Sequence, residues 1–312
     1  MKFMFVWKEP SLMAHRLSPA ITLTASAAIL GLTLSACGSD SLSTPDATPK
    51  ATASQSADPA LVAKLPAKIK AAGKIVVGSD TSYPPNEFLA SDGKTAVGMD
   101  VDLFNAVAQK FGVTVEWHTA VFGTIVLGVN SGRFDVGVSS FSVNPDREKQ
   151  VNMVSYYKAG TQWVVPKGNP KHVDPDNACG LNVGVQKDTV QIDDLAARSK
   201  KCTDAGKKPI NQIVEELQVK VNNDVLSLKS DAMATDYPVA VYAQTQTKGG
   251  VEILGKTYDA TPYGYVLPKN ETEFATAIAD ALKALDASGD YAKILANWKI
   301  EGGAINNFAV NP

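Results

Sequence analysis

The sequence predicts an α/β protein with largely parallel sheets, and three observations carry that expectation. Short apolar runs of strand length alternate with longer segments whose apolar residues recur at helical spacing. The composition is that of a globular chain, 45% hydrophobic and 20% charged over 312 residues, enough to bury one sizeable core or two. Ser131-Gly-Arg-Phe-Asp-Val and Ser230-Asp-Ala-Met-Ala-Thr-Asp look like comparable strand entries in two halves of the chain.

The first element is a leader. Lys8, His15 and Arg16 precede an apolar run from Ala20 to Leu34, which ends in Leu34-Ser-Ala-Cys37. At about 15 residues the run is shorter than the roughly 20 that span a bilayer, so it reads as a secretory signal over 1–36 that ends in a lipobox. Cys37 is then the lipidated first residue of the mature protein. Met13 is an alternative start, because Met-Ala-His-Arg makes a more usual charged leader. From Gly38 to Pro59 only Leu42 is large and apolar. Such a tract cannot bury enough surface to fold, and a tether over 37–65 is expected, with a reach of roughly 25 Å.

Beyond the tether, Lys74 to Gly78 reads as a buried strand. Met99 to Phe111 repeats apolar residues at 101, 104, 107, 108 and 111 before Gly112, which reads as an amphipathic helix. Further strands are expected at Thr114–Trp117, Phe134–Val138, Thr161–Val165, Asn182–Val185, Ala232–Thr235, Val251–Leu254 and Tyr263–Leu267. Helices are expected at Phe122–Asn130, Val190–Lys200, Asp224–Lys229, Tyr237–Gln246, Glu271–Ala287 and Tyr291–Trp298.

Charge and cysteine usage narrow the function. The formal net charge of −2 becomes −4 without residues 1–36, which carry three Lys/Arg and one Glu. A nucleic-acid binder normally carries a basic face, so none is expected as a partner. With three His and three Cys, no two at metal-ligand spacing, neither a metal site nor a cofactor is expected. Cys179 and Cys202 bracket one strand–helix unit, and in an oxidising compartment they are expected to form a structural disulfide.

Ser139-Ser-Phe-Ser-Val-Asn-Pro-Asp-Arg147 is the segment that general composition explains least. Asn144 followed by Pro145 is a helix start, with Asn as the cap and Pro at the first helical position. Arg147 then sits in the first turn, facing the positive end of the helix dipole, which is mildly unfavourable unless an anion shares that end. Serine hydroxyls, free N–H groups and a guanidinium suit a carboxylate. A solvated arginine, or one paired with Asp146 or Glu148, fits the same residues equally well.

Gly78-Ser-Asp-Thr-Ser-Tyr-Pro-Pro, Val97-Gly-Met-Asp-Val-Asp-Leu, Gly132-Arg-Phe-Asp-Val-Gly-Val-Ser-Ser-Phe-Ser, Arg147 and Gly289-Asp-Tyr-Ala-Lys-Ile-Leu-Ala-Asn-Trp298 occur in that order. Together they resemble the polar-amino-acid family of bacterial extracellular solute-binding proteins, over about Gly73 to Ile300. The resemblance implies a periplasmic-binding-protein-like fold: two α/β lobes joined by two crossing strands, with the ligand in the cleft. Lobe 1 would comprise 66–159 and 264–312, and lobe 2 would comprise 160–263. It also implies a monomeric, non-enzymatic protein, lipid-anchored on the outer face of the cytoplasmic membrane, that passes a polar amino acid to the permease of an ABC-type importer. The alternatives are a sensor lipoprotein that docks on a signalling receptor and a secreted dehydratase of the same fold.

By matching motifs, the resemblance assigns Arg147, Ser140, Ser142 and Thr189 to the ligand's α-carboxylate. Asp236 and Ser140 would receive the α-ammonium, and Asp80, Tyr83, Asn86, Glu87 and Phe122 would face the side chain. The sequence departs from the family where Asp188 stands for the usual Gly of Gln-x-Gly-Thr. It also departs where Gly123 and Leu127 stand for the usual Asp and Pro.

Overall fold

The structure, a computed structural model, describes residues 56–312. The signal peptide, lipobox Cys37 and start-site expectations lie outside the described residues. Within the expected tether over 37–65, residues 59–65 are folded. Asp58 accepts the Ala60 amide and caps α1 (Pro59–Ala63), and Leu61 and Leu65 are buried in the main core. Two leucines in so short a stretch give it an apolar face to dock, so 59–65 belongs to the folded body. Helix α2 (Ala67–Ala72) then stops at Gly73, whose φ of 65° is the left-handed conformation that ends helices.

The first half of the chain follows the predicted alternation. Strand β1 (Lys74–Ser79) leads into three short strands, β2 (Ser82–Tyr83), β3 (Glu87–Leu89) and β4 (Ala96–Val97), which form a small antiparallel sheet. These are too short to show a period-two pattern, and the sequence reading missed them. Helix α3 (Met99–Lys110) buries Val101, Phe104, Val107 and Ala108, the face its spacing predicted. Next come β5 (Thr114–Thr119), α4 (Phe122–Asn130), β6 (Val136–Gly137) and α5 (Pro145–Gln150). As expected, the Asn144 side chain caps α5, accepting the Arg147 amide at 2.9 Å.

Strand β7 (Asn152–Pro166) is followed by β8 (Asn182–Gln186), α6 (Val190–Asp204), β9 (Asn211–Glu215), α7 (Gln218–Leu226), β10 (Ala232–Asp236) and α8 (Tyr237–Gln246). The chain ends with β11 (Val251–Leu267), α9 (Thr272–Ala287) and α10 (Asp290–Trp298). The expected helix at Asp224–Lys229 is a correction: α7 starts six residues earlier and has ended before Leu228, which adopts φ 63°. Buried Gln218 and Asn222 occupy its inner face beside Val221 and Val225, so its apolar period was masked.

The main sheet has eight strands in the order β5-β1-β6-β11-β7-β10-β8-β9. Pairing is parallel within β5-β1-β6 and β10-β8-β9, and antiparallel where β7 and β11 join them. Strands β7 and β11 pair from Val251↔Pro166 to Leu267↔Asn152, with register shifts between Leu254 and Tyr258, Tyr258 and Thr261, and Tyr263 and Gly264. The runs read as separate strands at Val251–Leu254 and Tyr263–Leu267 are therefore two ends of one strand whose bulged, polar middle hid its continuity.

Apolar residues gather on either side of that crossing. Phe104, Phe111, Phe274 and Leu282 share one cluster with β1, whereas Trp163, Val183, Val185 and Leu195 form another around β8. The result is a two-lobe periplasmic-binding-protein-like fold in which β7 and β11 run through both lobes. The expected boundaries at 159/160 and 263/264 fall inside these two strands. Cys179 and Cys202 form the expected disulfide in the second lobe, with Cα atoms 5.5 Å apart.

Candidate functional site

The strands aim their carboxyl ends at a common cleft, where ligands collect in open α/β sheets. Asp80 follows β1, Ser139, Ser140 and Ser142 follow β6, Gln186 ends β8 and Asp236 ends β10. With Tyr83, Glu87, Phe122, Arg147 and the start of α6 they line a narrow cavity.

Arg147 enters from the first turn of α5. Its Nη1 donates to the Ser142 carbonyl at 2.8 Å and its Nη2 to the Asp188 carbonyl, across the cleft, at 3.2 Å. The guanidinium lies over the rings of Phe122 and Phe141, which themselves stack at 4.6 Å. Burial lowers its pKa to about 10, against the pull of Asp236. A guanidinium has five N–H donors, so these two carbonyls leave donors for an anion.

Asp236 faces it from the second lobe. Its Oδ2 accepts from Tyr83 at 2.9 Å and Tyr263 at 2.6 Å, and its Oδ1 accepts from Gln191 at 2.7 Å. Burial raises its pKa, and these hydrogen bonds together with Arg147 offset part of the rise. Asp80 accepts from Gln186 at 2.7 Å across the cleft and from the Ser82 amide at 3.1 Å; burial raises it too. Glu87 is held by the hydroxyls of Ser139 and Ser140, each at 3.1 Å. The cavity wall therefore carries three carboxyl groups and one cation.

The structure brings together all but one of the residues that the resemblance assigned. Asn86 does not line the cavity. It is wholly buried and donates to Ser140 Oγ at 2.9 Å, so it positions the serine from behind. Thr189 lines the cavity as the N-cap of α6, although its hydroxyl donates back to the Gln186 carbonyl at 2.7 Å. Ser139 and Gln186, which also line the cavity, lie in motifs already noted. Gln191 and the Tyr263 bond to Asp236 carried no sequence signal. Asp188 holds φ 63°, and its carboxylate lies against Gly123 of α4, where a Cβ would come within 1.9 Å of Oδ2.

Comparison with known proteins agrees with this geometry. Arginine-binding protein ArgT of Corynebacterium glutamicum is 33% identical over 254 residues, spanning 81% of this chain and 83% of that protein. An ancestral arginine-binding protein bound to arginine superposes with a TM-score of 0.67 at 32% identity, covering 72% of this chain and 98% of that one. The same TM-score, at 31% identity and 73% and 99% coverage, is found for an ancestral arginine-binding protein bound to glutamine. Residues 75–301 match the model of bacterial extracellular solute-binding proteins, family 3. With the crossing strands, the interlobe cleft and this match over most of its length, the chain belongs to the bacterial extracellular solute-binding proteins of family 3.

Proposed function

We propose that the protein is an exported, lipid-anchored receptor that captures a basic amino acid, arginine above all, and delivers it to an ABC-type importer. The observation that carries this is the charge of the cavity wall: Asp80, Glu87 and Asp236 against Arg147 alone. In this reading Arg147 and the Ser140–Ser142 segment hold the α-carboxylate, and Asp236 holds the α-ammonium. Phe122 and Tyr83 flank the side chain, and Asp80 and Glu87 face its cation. An ion in a closed cleft costs several kcal/mol unless it is paired, so a ligand with one negative and two positive groups suits this wall better than a neutral zwitterion. The names of ArgT and of the arginine-bound ancestral protein support the same ligand.

Calorimetric titration with arginine, lysine, glutamine and glutamate tests the reading, with arginine and lysine expected to bind tightest. Preference for glutamate, or no heat with any amino acid, overturns it. Loss of arginine uptake on deletion of the gene tests delivery to an importer. Cys37→Ala should release the protein from the membrane fraction with unchanged affinity, and a variant that stays membrane-bound refutes the anchor.

A further inference from the structure

Behind the cavity wall lies a fourth carboxyl group, which does not line it. Asp100 of α3 is wholly buried, and Glu87 of β3, which does line the cavity, is 1% exposed. One hydroxyl touches both: Ser140 Oγ lies 3.1 Å from Glu87 Oε2 and 3.3 Å from Asp100 Oδ2. Asp100 Oδ1 is buried without a hydrogen-bond partner, and the charge of Asp100 acts directly on Glu87. Two ionised carboxylates buried around one hydroxyl repel each other, which favours a proton on one of them.

The groups facing the pair from the surrounding elements are neutral donors or further acids. Ser139, after β6, donates to Glu87, while the Ser140 amide at 3.0 Å and the Tyr156 hydroxyl of β7 at 2.6 Å donate to Asp100. Asp80, after β1, acts on Glu87 through its charge, and Tyr265 of β11 lies in the field of both. No cation of the described residues forms an ion pair with either carboxyl group. Burial and the like charge of Asp100 hold Glu87 well above the usual carboxylate range, and burial pushes Asp100 up to about 6.

We propose that Glu87 and Asp100 share one proton in the empty cleft and release it to solvent when the side-chain cation of a basic amino acid docks beside Glu87. Asp100 is thereby a positioning residue that makes the pocket read ligand charge without touching the ligand. The proposal rests on the basic-amino-acid reading above. A proton and a ligand cation compete for the same carboxylate, because each supplies the positive charge that the buried pair lacks. A ligand of the same shape without that cation leaves the proton where it is. Affinity for arginine should then rise with pH, by up to about tenfold per unit while the empty cleft holds the proton.

The experiment is calorimetry of arginine and of citrulline, in which an uncharged ureido group replaces the guanidinium, in phosphate and in Tris at pH 7. These buffers differ in ionisation heat, so the difference in binding enthalpy counts the protons released. Arginine should release close to one proton and citrulline close to none. Glu87→Gln should abolish the release. Asp100→Asn should lower it at pH 7, since loss of the like charge moves the titration of Glu87 to lower pH. Arginine binding without proton release overturns the proposal and leaves the ligand reading standing. Equal release with citrulline, or undiminished release from Glu87→Gln, also overturns it. Failure of arginine to bind wild type removes the ligand reading itself.

Discussion

Replacing Arg147 with methionine separates its role in binding from its role in the fold. In the structure its guanidinium donates to two backbone carbonyls and covers Phe122 and Phe141. Methionine keeps apolar cover over the rings. The lost hydrogen bonds are offset by relief of the desolvation that lowers the pKa of the arginine. The ligand-free protein should therefore lose no more than about 1 kcal/mol. On the proposed reading binding responds differently, because the ligand carboxylate is left in a closed cleft without its cation. Losing one partner of a buried charge pair costs roughly 2–5 kcal/mol, and each 1.4 kcal/mol is a factor of ten, so Kd should rise by about 30-fold to a few thousandfold. Isothermal calorimetry with arginine, paired with thermal melts of the empty protein, reads both quantities. A variant that binds within about threefold of wild type would refute the carboxylate assignment and return Arg147 to the alternative of a helix-start residue.

Acid titration of the empty protein gives a second expectation. Asp100 ionises at the ordinary aspartate value of 3.8 when unfolded and, pushed up by burial, at about 6 when folded, so between these values the folded state binds more protons. Its contribution to stability is fully present below 3.8 and is lost as pH rises through about 6; denaturant melts across pH 3.5–6.5 should show a downward slope that Asp100→Asn flattens, and an unchanged slope refutes the shift. Gly123→Ala should not weaken α4, since alanine is the better helix former, yet it should lower arginine affinity by crowding Asp188 in the closed cleft. Adding Asp188→Gly should restore affinity, and a fully active Gly123→Ala single variant removes Asp188 from the closure contact. Replacing Cys179 and Cys202 with alanine should cost about 3 kcal/mol in the chain-entropy model for a loop of 23 residues, with little change in Kd; a melt that does not move contradicts this.

What could be read from the sequence follows the range of the interactions. The helices over Met99–Lys110 and Thr272–Ala287 announce themselves because local periodicity and burial agree. The Asn144-Pro145 start of α5 was legible because a cap and its first turn are neighbours in the chain. Strand β11 was not, since its middle is held by pairing with β7, a long-range contact that tolerates bulges and polar residues. The site divides in the same way. Serines at the end of a strand and an arginine in a helix start are local patterns. The Gln191 and Tyr263 bonds to Asp236 span 45 and 27 residues and exist only once the fold has formed. Asn86 was misassigned because its motif neighbours do face the cavity. Its amide closes a turn onto the Tyr83 carbonyl at 2.9 Å, and its side chain bonds to Ser140 behind the wall.

The charged groups of the cavity also explain how capture is coupled to closure. Gln186 bonds to Asp80, Tyr83 to Asp236, Arg147 to the Asp188 carbonyl and the Gln218 amide to Ser82 Oγ, each pair spanning the two lobes. These contacts require the lobes to be together, and they place Asp80, Glu87 and Asp236 where burial raises the cost of their ionisation. An empty closed cleft thus gathers carboxylates with one cation among them. On the reading proposed above, a basic amino acid reverses that balance, its ammonium and side-chain cation facing the acids and its carboxylate facing Arg147. Moving a two-state equilibrium from 1:99 to 99:1 takes about 5.5 kcal/mol of differential binding. On that reading three charge pairs are completed only in the closed form, and at roughly 2–5 kcal/mol for each partner lost they supply that amount. A ligand that satisfies only one of them falls short, so the same residues that select the ligand also decide whether the lobes stay shut around it.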